Sequence, residues 1–303
     1  TPSAAAIKQN RRPLADAANG FKHGRLTQKD GVMTQPRTFH DRVAVSLGDH
    51  IARIEMIRED KLNALDPAMF DALIEAAAWL REQREARVAI LSGRGRMFCA
   101  GLDFGSFAAM AGEDGTASTS LEPRTHGLCN TPQYAAYAWH EAPVPVIVAI
   151  QGGALGGGLQ IALGGDIRIA APDAKIAIAE TQWGLVPDMS GMARVRRLVR
   201  DDVLRRLTYT AERIDGTRAS EAGLVTEVHP DPQARALEIA QQIANRSPSA
   251  IRACKVLLNG LDDANAGEIL AAESRLQQAI IGQPNQVEAV MANLDKRTPD
   301  FRD

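Results

Sequence analysis

Three adjacent glycines, Gly156, Gly157 and Gly158, mark the stretch of this sequence whose residue types are best suited to chemistry. A glycine triplet indicates that the backbone adopts a positive φ or approaches another group closely. The largely apolar run 159–163 is typical of a short buried helix, which places Gly157 at a helix N-terminus. Unpaired N–H groups at such an end can bind a phosphate, a carboxylate or an oxyanion.

The residues around the triplet exclude the two common phosphate-binding loops. A Walker loop requires Gly-Lys-Ser/Thr after its glycines, whereas Leu159 and Gln160 follow here. A dinucleotide fingerprint requires Gly-x-Gly-x-x-Gly, which the run from Gly153 to Gly156 does not fit. By itself the triplet is equally consistent with close packing of a helix on a strand.

The elements that must position this turn follow from the flanking residues. The β-branched run 144–150 is flanked by prolines and predicts a buried strand that leads into the turn. Further strands are predicted at 43–47, 51–57 and 87–92, and the first two of these are joined by a turn at 48–50.

Helix signals recur along the chain. Asp66 is a natural N-cap and Pro67 a natural first helical residue, and apolar residues at helical spacing follow as far as Leu80. Other helices are predicted from Ser190 to Arg200, from Asp201 onwards, and from Pro248 and Pro284.

Composition restricts the class of protein. The chain has 303 residues, of which 45% are hydrophobic, enough for a sizeable core. A net charge of -2 gives no indication of nucleic-acid or anionic membrane binding. Three scattered cysteines fit a reducing compartment and argue against a disulfide framework or a metal site. Charges and prolines interrupt the apolar stretch 143–171, so we expect no membrane span. We also expect a cytoplasmic location, a reducing compartment that the cysteines fit.

The first 37 residues differ from the rest. They are basic and lack apolar periodicity, so we interpret 1–37 as a mobile tail or a leader left from expression. An organelle presequence is the weaker alternative, because no amphipathic stripe is present. Met33 as the natural start is a further hypothesis.

Two motifs together resemble the crotonase (enoyl-CoA hydratase/isomerase) superfamily. The first is FCAGLDF from Phe98, and the second is QGGALGGGLQIALGGDIRIA from Gln151, followed by an acidic residue before WGLVPD. The resemblance runs from about Val43 to the C-terminus. It implies that two backbone N–H groups form an oxyanion hole for a coenzyme A thioester, and the matching donors are Leu102 and Gly157.

The resemblance also implies the architecture. We expect an α/β fold, a crotonase-like spiral of ββα turns over 38–230, followed by a C-terminal helical trimerisation region over 231–303. The chain would then form a homotrimer, or a hexamer of two trimers. The apolar face of its last helix would comprise Val287, Val290, Met291 and Leu294.

The same resemblance implies contacts with the substrate. Residues along coenzyme A or beside the thioester would be Lys61, Leu62, Ala64, Ala100, Asp103, Gln160 and Lys296. Lys296 would reach a coenzyme A phosphate, in this subunit or a neighbouring one. Solvated surface lysines and a helix-capping Asp103 are the alternatives. The segment 105–140 would line the acyl pocket, with a helix over 134–140 as one wall.

The acidic residues decide which family reaction is available. Family hydratases carry two glutamates that hold the attacking water, and the matching residues here are Gln160 and Glu180. An amide can orient a water but does not exchange a proton with it. Family isomerases work with one carboxylate at the Glu180 position. Dienoyl-CoA isomerases add an aspartate that Asp188 matches, but they also have an acid where Gln160 stands, so that match is partial.

The leading hypothesis is therefore an enzyme that shifts a C=C double bond of an unsaturated acyl-CoA through an enolate. Glu180 takes the proton and Asp188 returns it or assists, with coenzyme A as part of the substrate and with no metal or other cofactor. The nearest alternative is an enoyl-CoA hydratase. An alternative of another class is a non-catalytic binding protein on a crotonase scaffold, and the near-neutral charge argues against nucleic acid as its partner.

Overall fold

The computed structural model describes residues 34–103, 105, 121–261 and 264–303. The hypothetical start at Met33, the predicted tail before it, and residues 106–120 of the segment expected to line the acyl pocket lie outside the described residues. The first described residue, Thr34, donates its N–H to Leu47 O at 2.8 Å, and its hydroxyl accepts from Leu47 N at 2.9 Å.

A seven-stranded sheet forms the centre of the described fold. In spatial order its strands are β1 (Arg37–Phe39), β2 (Val43–Gly48), β3 (Ile51–Met56), β4 (Val88–Gly93), β5 (Val146–Ile150), β7 (Ile167–Ala170) and β9 (Glu227–Val228). The first three strands pair antiparallel, and every pairing from β3 to β9 is parallel. A smaller parallel sheet joins β6 (Gly153–Leu155) to β8 (Lys175–Ala177).

Helices follow or separate these strands. In chain order they are α1 (Pro67–Glu82), α2 (Thr131–His140), α3 (Gly157–Gly164), α4 (Gly191–Val195), α5 (Asp201–Thr210), α6 (Gly216–Glu221), α7 (Pro232–Ala244), α8 (Pro248–Gly260), α9 (Ala266–Ile280) and α10 (Pro284–Leu294). Short 3-10 helices cover Glu59–Lys61 and Glu180–Trp183. Within the described ranges, no helix combines the length and apolarity that a membrane crossing requires.

The large sheet is buried on both faces. Side chains alternate along β4, so that Ala89 and Leu91 join the main core while Val88 and Ile90 face the opposite side. The main core includes residues of α1, α2 and α3, and the opposite face is covered by alanines of α7. Burial on both faces explains why the central strands read as continuous apolar runs in the sequence.

A buried ion pair attaches the C-terminal helices to this core. Lys255 of α8 donates its Nζ to Val144 O at 2.9 Å and to Asp166 Oδ2 at 2.8 Å. The same carboxylate oxygen accepts the N–H of Val146, the first residue of β5, at 2.7 Å. Burial lowers the pKa of Lys255, and the nearby Asp166 carboxylate opposes that shift. The pair therefore fixes α8 against the start of the central strand.

Most predicted elements agree with the structure, and one needs correction. Asp66 caps α1 by accepting the N–H of Met69 at 2.9 Å. The helix predicted from Ser190 to Arg200 is wrong, because α4 ends at Val195 and Ser190 makes no side-chain cap. Ser190 has a φ of 67°, a left-handed conformation, whereas an N-cap requires extended backbone.

Candidate active site

A cavity of about 740 Å³ brings together nearly all the residues that the motifs indicate. The predicted residues that line it are Lys61, Leu62, Ala64, Ala100, Leu102, Asp103, Gly157, Gln160, Glu180 and Asp188. Lys296 is not among the described residues that line it, and lies in an exposed position just after α10. A single chain therefore does not bring Lys296 to this cavity.

The loop that carries Leu102 is held on both sides by Leu65. The N–H of Leu65 donates to Gly101 O at 2.8 Å, and the N–H of Asp103 donates to Leu65 O at 2.9 Å. Gly101 has a φ of 91°. A Cβ at Gly101 would lie 2.7 Å from Leu155 O and 3.9 Å from the amide nitrogen of Gly157. This residue must therefore be glycine, and its turn lies directly beside the glycine triplet.

The glycine triplet fits both interpretations considered from the sequence, a helix-terminal turn and close packing. Gly156 has a φ of 51° and leads into α3, whose first residue is Gly157. A Cβ at Gly157 would lie 2.8 Å from Leu65 Cδ1 and 2.8 Å from Met189 Sδ. A Cβ at Gly158 would lie 2.6 Å from Cys99 O. Close packing and helix-terminal N–H groups therefore occur at the same turn.

Where the Gly101 turn meets the glycine triplet, two backbone N–H donors have no acceptor among the described residues. Neither the N–H of Leu102 nor that of Gly157 donates to an acceptor in the part of the chain that the structure describes. Both residues line the cavity. Preorganised donors of this kind stabilise a developing oxyanion, and each contributes on the order of 3–4 kcal/mol to the lowering of a reaction barrier.

Gln160 is held in one orientation inside the protein. Its Oε1 accepts the N–H groups of Met189 at 2.8 Å and Gly191 at 3.1 Å. The amide NH₂ therefore points the other way, because only the carbonyl oxygen can accept. It donates through Nε2 to Glu180 Oε1 at 2.6 Å. Gln160 thus uses its amide to hold the carboxylate of Glu180.

Glu180 is a buried carboxylate with one oxygen still available. Its side chain lies at the start of the second 3-10 helix, and the residue is only 8% exposed. Oε2 has no hydrogen-bond partner among the described residues. Burial raises the pKa of Glu180, the hydrogen bond from Gln160 opposes this, and the charge of Asp188 adds to it. An available oxygen with a raised pKa suits a general base.

Asp188 is a further carboxyl group that lines the same cavity. The side chain is partly buried, and burial raises the pKa of this carboxyl group as well. Because the charge of Asp188 also raises the pKa of Glu180, the two carboxylates repel each other when both are ionised. Both carboxyl groups therefore hold their protons more tightly than exposed carboxyl groups do.

The carboxylate of Asp103 is paired with groups of the protein. Its Oδ2 accepts from Arg58 Nη1 at 2.7 Å, and its Oδ1 accepts from Gly105 N at 2.7 Å. The N–H of Gly105 and the Arg58 guanidinium hold the pKa of Asp103 below its usual range. Both carboxylate oxygens of Asp103 therefore bond to groups of the protein itself.

Sequence reasoning missed most of the apolar cavity wall. The residues concerned are Phe70, Leu121, Pro132, Leu155, Trp183, Leu185, Val186 and Met189, together with the exposed Arg96 at the edge. The helix expected over 134–140 exists as α2, but among its described residues only Pro132 borders the cavity. The motif WGLVPD contained Trp183, Leu185 and Val186, so that signal was present.

Comparison with known proteins agrees with this geometry. A family model described as enoyl-CoA hydratase/isomerase matches residues 47–303. The mouse protein named "Enoyl-CoA hydratase domain-containing protein 2, mitochondrial" is 33% identical over 258 residues, covering 83% of this chain and 84% of that protein. The mouse "Delta(3,5)-Delta(2,4)-dienoyl-CoA isomerase, mitochondrial" is 26% identical over 253 residues, covering 82% and 77%. A crystal structure of enoyl-CoA hydratase from Bacillus anthracis superposes with a TM-score of 0.76 at 30% identity, covering 86% of this chain and 98% of that chain.

The mixed α/β fold and these structural neighbours define a crotonase-fold protein. The chain belongs to the enoyl-CoA hydratase/isomerase family. The family and the crotonase fold predicted from the two motifs are thereby confirmed, and the C-terminal trimerisation region stays a prediction.

The raised pKa of Glu180 predicts a pH-dependent cost in stability. The folded state binds this proton more tightly than the unfolded state does, so the free energy of unfolding falls as pH rises through the window between the unfolded and folded pKa values. Glu180→Gln removes that cost. We expect the variant to melt at a higher temperature than wild type at neutral pH, and the difference to shrink below the ordinary glutamate pKa of 4.5.

Thermal unfolding followed across pH checks this expectation. Glu273→Gln is the matched control, because it makes the same change at an exposed position of α9. A melting difference for Glu180→Gln that does not vary with pH would contradict the account.

Proposed function

We propose that this protein shifts a C=C double bond of an unsaturated acyl-CoA by proton abstraction next to the thioester carbonyl. The observation that carries the proposal is the Gln160–Glu180 contact of 2.6 Å, which engages one carboxylate oxygen of this cavity residue and leaves Glu180 Oε2 without a hydrogen-bond partner among the described residues. A single oriented carboxylate beside two unused N–H donors suits proton transfer between carbons.

The proposed reaction assigns each group a task. The thioester oxygen accepts the N–H groups of Leu102 and Gly157, which stabilise the enolate that forms when C2 loses a proton. Glu180 Oε2 takes that proton. Asp188 returns a proton to the far end of the allylic system, and a raised pKa suits this role because the carboxyl group stays protonated more readily. Coenzyme A enters as part of the substrate, and the reaction uses no other cofactor.

Water addition is the competing reaction, and Gln160 argues against it. Two carboxylates that hold and deprotonate a water are expected of a hydratase, and here an amide occupies one of those positions. The amide oxygen of Gln160 is already bonded to Met189 N and Gly191 N, and its NH₂ group is bonded to Glu180. The contacts of this amide therefore favour a positioning role over activation of water.

The first activity prediction concerns the two carboxyl groups. Glu180→Gln removes the base and preserves its size, so we expect double-bond migration in 3-enoyl or 3,5-dienoyl thioesters to slow by ~10²–10⁴-fold. Asp188→Asn should slow it comparably, because it removes the proposed proton donor. Absorbance assays with 2-enoyl, 3-enoyl and 3,5-dienoyl thioesters measure both effects. Rapid water addition to the 2-enoyl thioester with no migration would contradict the isomerase and favour the hydratase, and no turnover of any of them would favour a binding protein.

A second activity prediction concerns Gln160. In Gln160→Glu one new carboxylate oxygen can keep the N–H groups of Met189 and Gly191 while the other faces Glu180. Two carboxylates in contact share a proton, which restores the pair that water addition uses. We expect water addition to a 2-enoyl thioester to rise by at least about tenfold, since a general acid–base group contributes more than this.

The control for that gain is Gln241→Glu, which adds the same charge at an exposed position of α7. An unchanged hydration rate in a folded Gln160→Glu protein would refute the idea that the missing carboxylate limits water addition.

We also propose that the protein is a homotrimer or a hexamer of two trimers. Apolar side chains on α10 are exposed in the single chain, including Val287, Val290, Met291 and Leu294. A contiguous apolar surface of this kind is typical of a protein–protein contact. The C-terminal segment predicted to assemble the subunits is formed by the four helices α7 to α10, which supports the proposal.

Leu294→Glu tests the assembly. The side chain is 71% exposed, so the change should leave the fold intact while it places a charge in the proposed contact. We expect light scattering to show an assembly for wild type at micromolar concentration and a smaller species for the variant. Leu128→Glu, at 82% exposure elsewhere on the chain, should not alter the mass. A monomeric wild type would contradict the proposal.

A further inference from the structure

We propose that Arg58 is a positioning residue for the oxyanion hole and acts on Leu102 through Asp103. This inference rests on the proposed function, because it assigns Arg58 to the geometry of the same N–H donor. No sequence motif pointed to Arg58, and its partner Asp103 lies 45 residues further along the chain.

Arg58 joins two loops with one guanidinium group. Its Nη1 donates to Asp103 Oδ2 at 2.7 Å and to Ala64 O at 2.9 Å. Its Nη2 lies 3.4 Å from Asp66 Oδ2, and Asp66 is the N-cap of α1. The loop before α1 and the loop that carries Leu102 are therefore connected through this one side chain.

Leu102 lies where these connections converge. Leu65 bonds the residues on either side of Leu102 through Gly101 O and Asp103 N, at 2.8 and 2.9 Å. Arg58 holds the residue before Leu65 by its carbonyl oxygen, and holds the residue after Leu102 by its carboxylate. The direction of the Leu102 N–H thus depends on two backbone hydrogen bonds and on the Arg58–Asp103 pair.

The other carboxylate oxygen of Asp103, Oδ1, makes a further hydrogen bond in the same loop. It accepts the N–H of Gly105 at 2.7 Å, so the carboxylate also holds Gly105, three residues after Leu102. The ion pair with Arg58 keeps this carboxylate in place while it accepts that N–H. Loss of the guanidinium would free the carboxylate to rotate and would loosen the loop around Leu102.

The residue type fits the task. Arg58 is 15% exposed and Asp103 is 20% exposed, so the pair is neither deeply buried nor freely solvated. A planar guanidinium can reach several acceptors in a fixed geometry, whereas a lysine ammonium concentrates its charge at one point. The expected effect therefore concerns orientation of the donor more than stability of the fold.

The test measures the oxyanion hole directly by infrared difference spectroscopy. The probe is butanoyl-CoA labelled with ¹³C at the thioester carbonyl, a saturated thioester with no double bond to move. Bound to wild type, its carbonyl stretch should shift to lower frequency than in solution, because the N–H donors polarise it. Arg58→Ala and Asp103→Asn should lose a large part of that shift.

Kinetics give an independent readout. We expect Arg58→Ala to lower kcat by about 10- to 100-fold, the size expected for displacement of one preorganised donor, and to leave KM near wild type. Guanidinium ion, added well below denaturing concentrations, should restore part of kcat and part of the carbonyl shift. Arg58→Lys should show an intermediate carbonyl shift. If Arg58→Ala fails to fold, Arg58→Lys and Asp103→Asn together test the positioning role.

Arg42→Ala is the matched control. Arg42 donates to Asp66 in the same charge cluster, but among the described residues it makes no hydrogen bond to Asp103. It should retain the wild-type carbonyl shift and show no guanidinium rescue. Wild-type shift and kcat in both Arg58→Ala and Asp103→Asn would overturn the positioning role and leave the proposed function standing. A wild-type protein that binds the probe without any shift would overturn the oxyanion hole itself, and the proposed function with it.

Discussion

The site depends on two stretches of backbone that pack together without side chains between them. A Cβ at Gly101 would lie 2.7 Å from Leu155 O, and a Cβ at Gly158 would lie 2.6 Å from Cys99 O. Hydrogen bonds join the same stretches, since Cys99 N donates to Gly153 O at 3.2 Å and Leu155 N donates to Cys99 O at 3.1 Å. This contact fixes both of the turns that carry the N–H groups of Leu102 and Gly157. The buried strand β5 leads directly into it, so the core sets its position.

The second constraint is electrostatic and centres on Gln160. A neutral amide next to Glu180 donates a hydrogen bond to the carboxylate and adds no second negative charge at 2.6 Å. A carboxylate in its place would raise the pKa of its partner and share a proton with it. The amide therefore leaves Glu180 without a second carboxylate in direct contact. Asp188, a further carboxyl group of the cavity, lies on a separate segment after the 3-10 helix. Both the proposed chemistry and the charge balance around Glu180 follow from the presence of glutamine instead of glutamate at position 160.

Much of this arrangement was predictable from the sequence because its signals are local. Proline-flanked and β-branched runs predicted β5, and Asp66 with Pro67 predicted the start of α1. The glycine triplet predicted a helix-terminal turn, and the paired motifs predicted the family. Each of these depends on neighbours in the chain, which a single sequence displays.

The remaining features depend on contacts between distant residues. The orientation of the Gln160 amide is set by N–H groups 29 and 31 residues away, and no spacing rule in the sequence indicates them. Ser190, which has a left-handed backbone instead of the extended one of an N-cap, lies between Met189 and Gly191, whose N–H groups both donate to Gln160. The role inferred for Arg58 likewise emerged only when the loops were seen side by side.

The most direct test of the central claim follows the hydrogens on C2 of a 3-enoyl thioester. Substrate that carries two deuterium atoms at C2 is incubated with the protein in ordinary water, and NMR locates the deuterium in the product. The account predicts that wild type yields a 2-enoyl thioester that has lost one C2 deuterium, and that Glu180→Gln yields almost none of it. Folded wild type that leaves the substrate unconverted, with both C2 deuterium atoms in place, would contradict the account, because no proton would then have left the carbon beside the thioester.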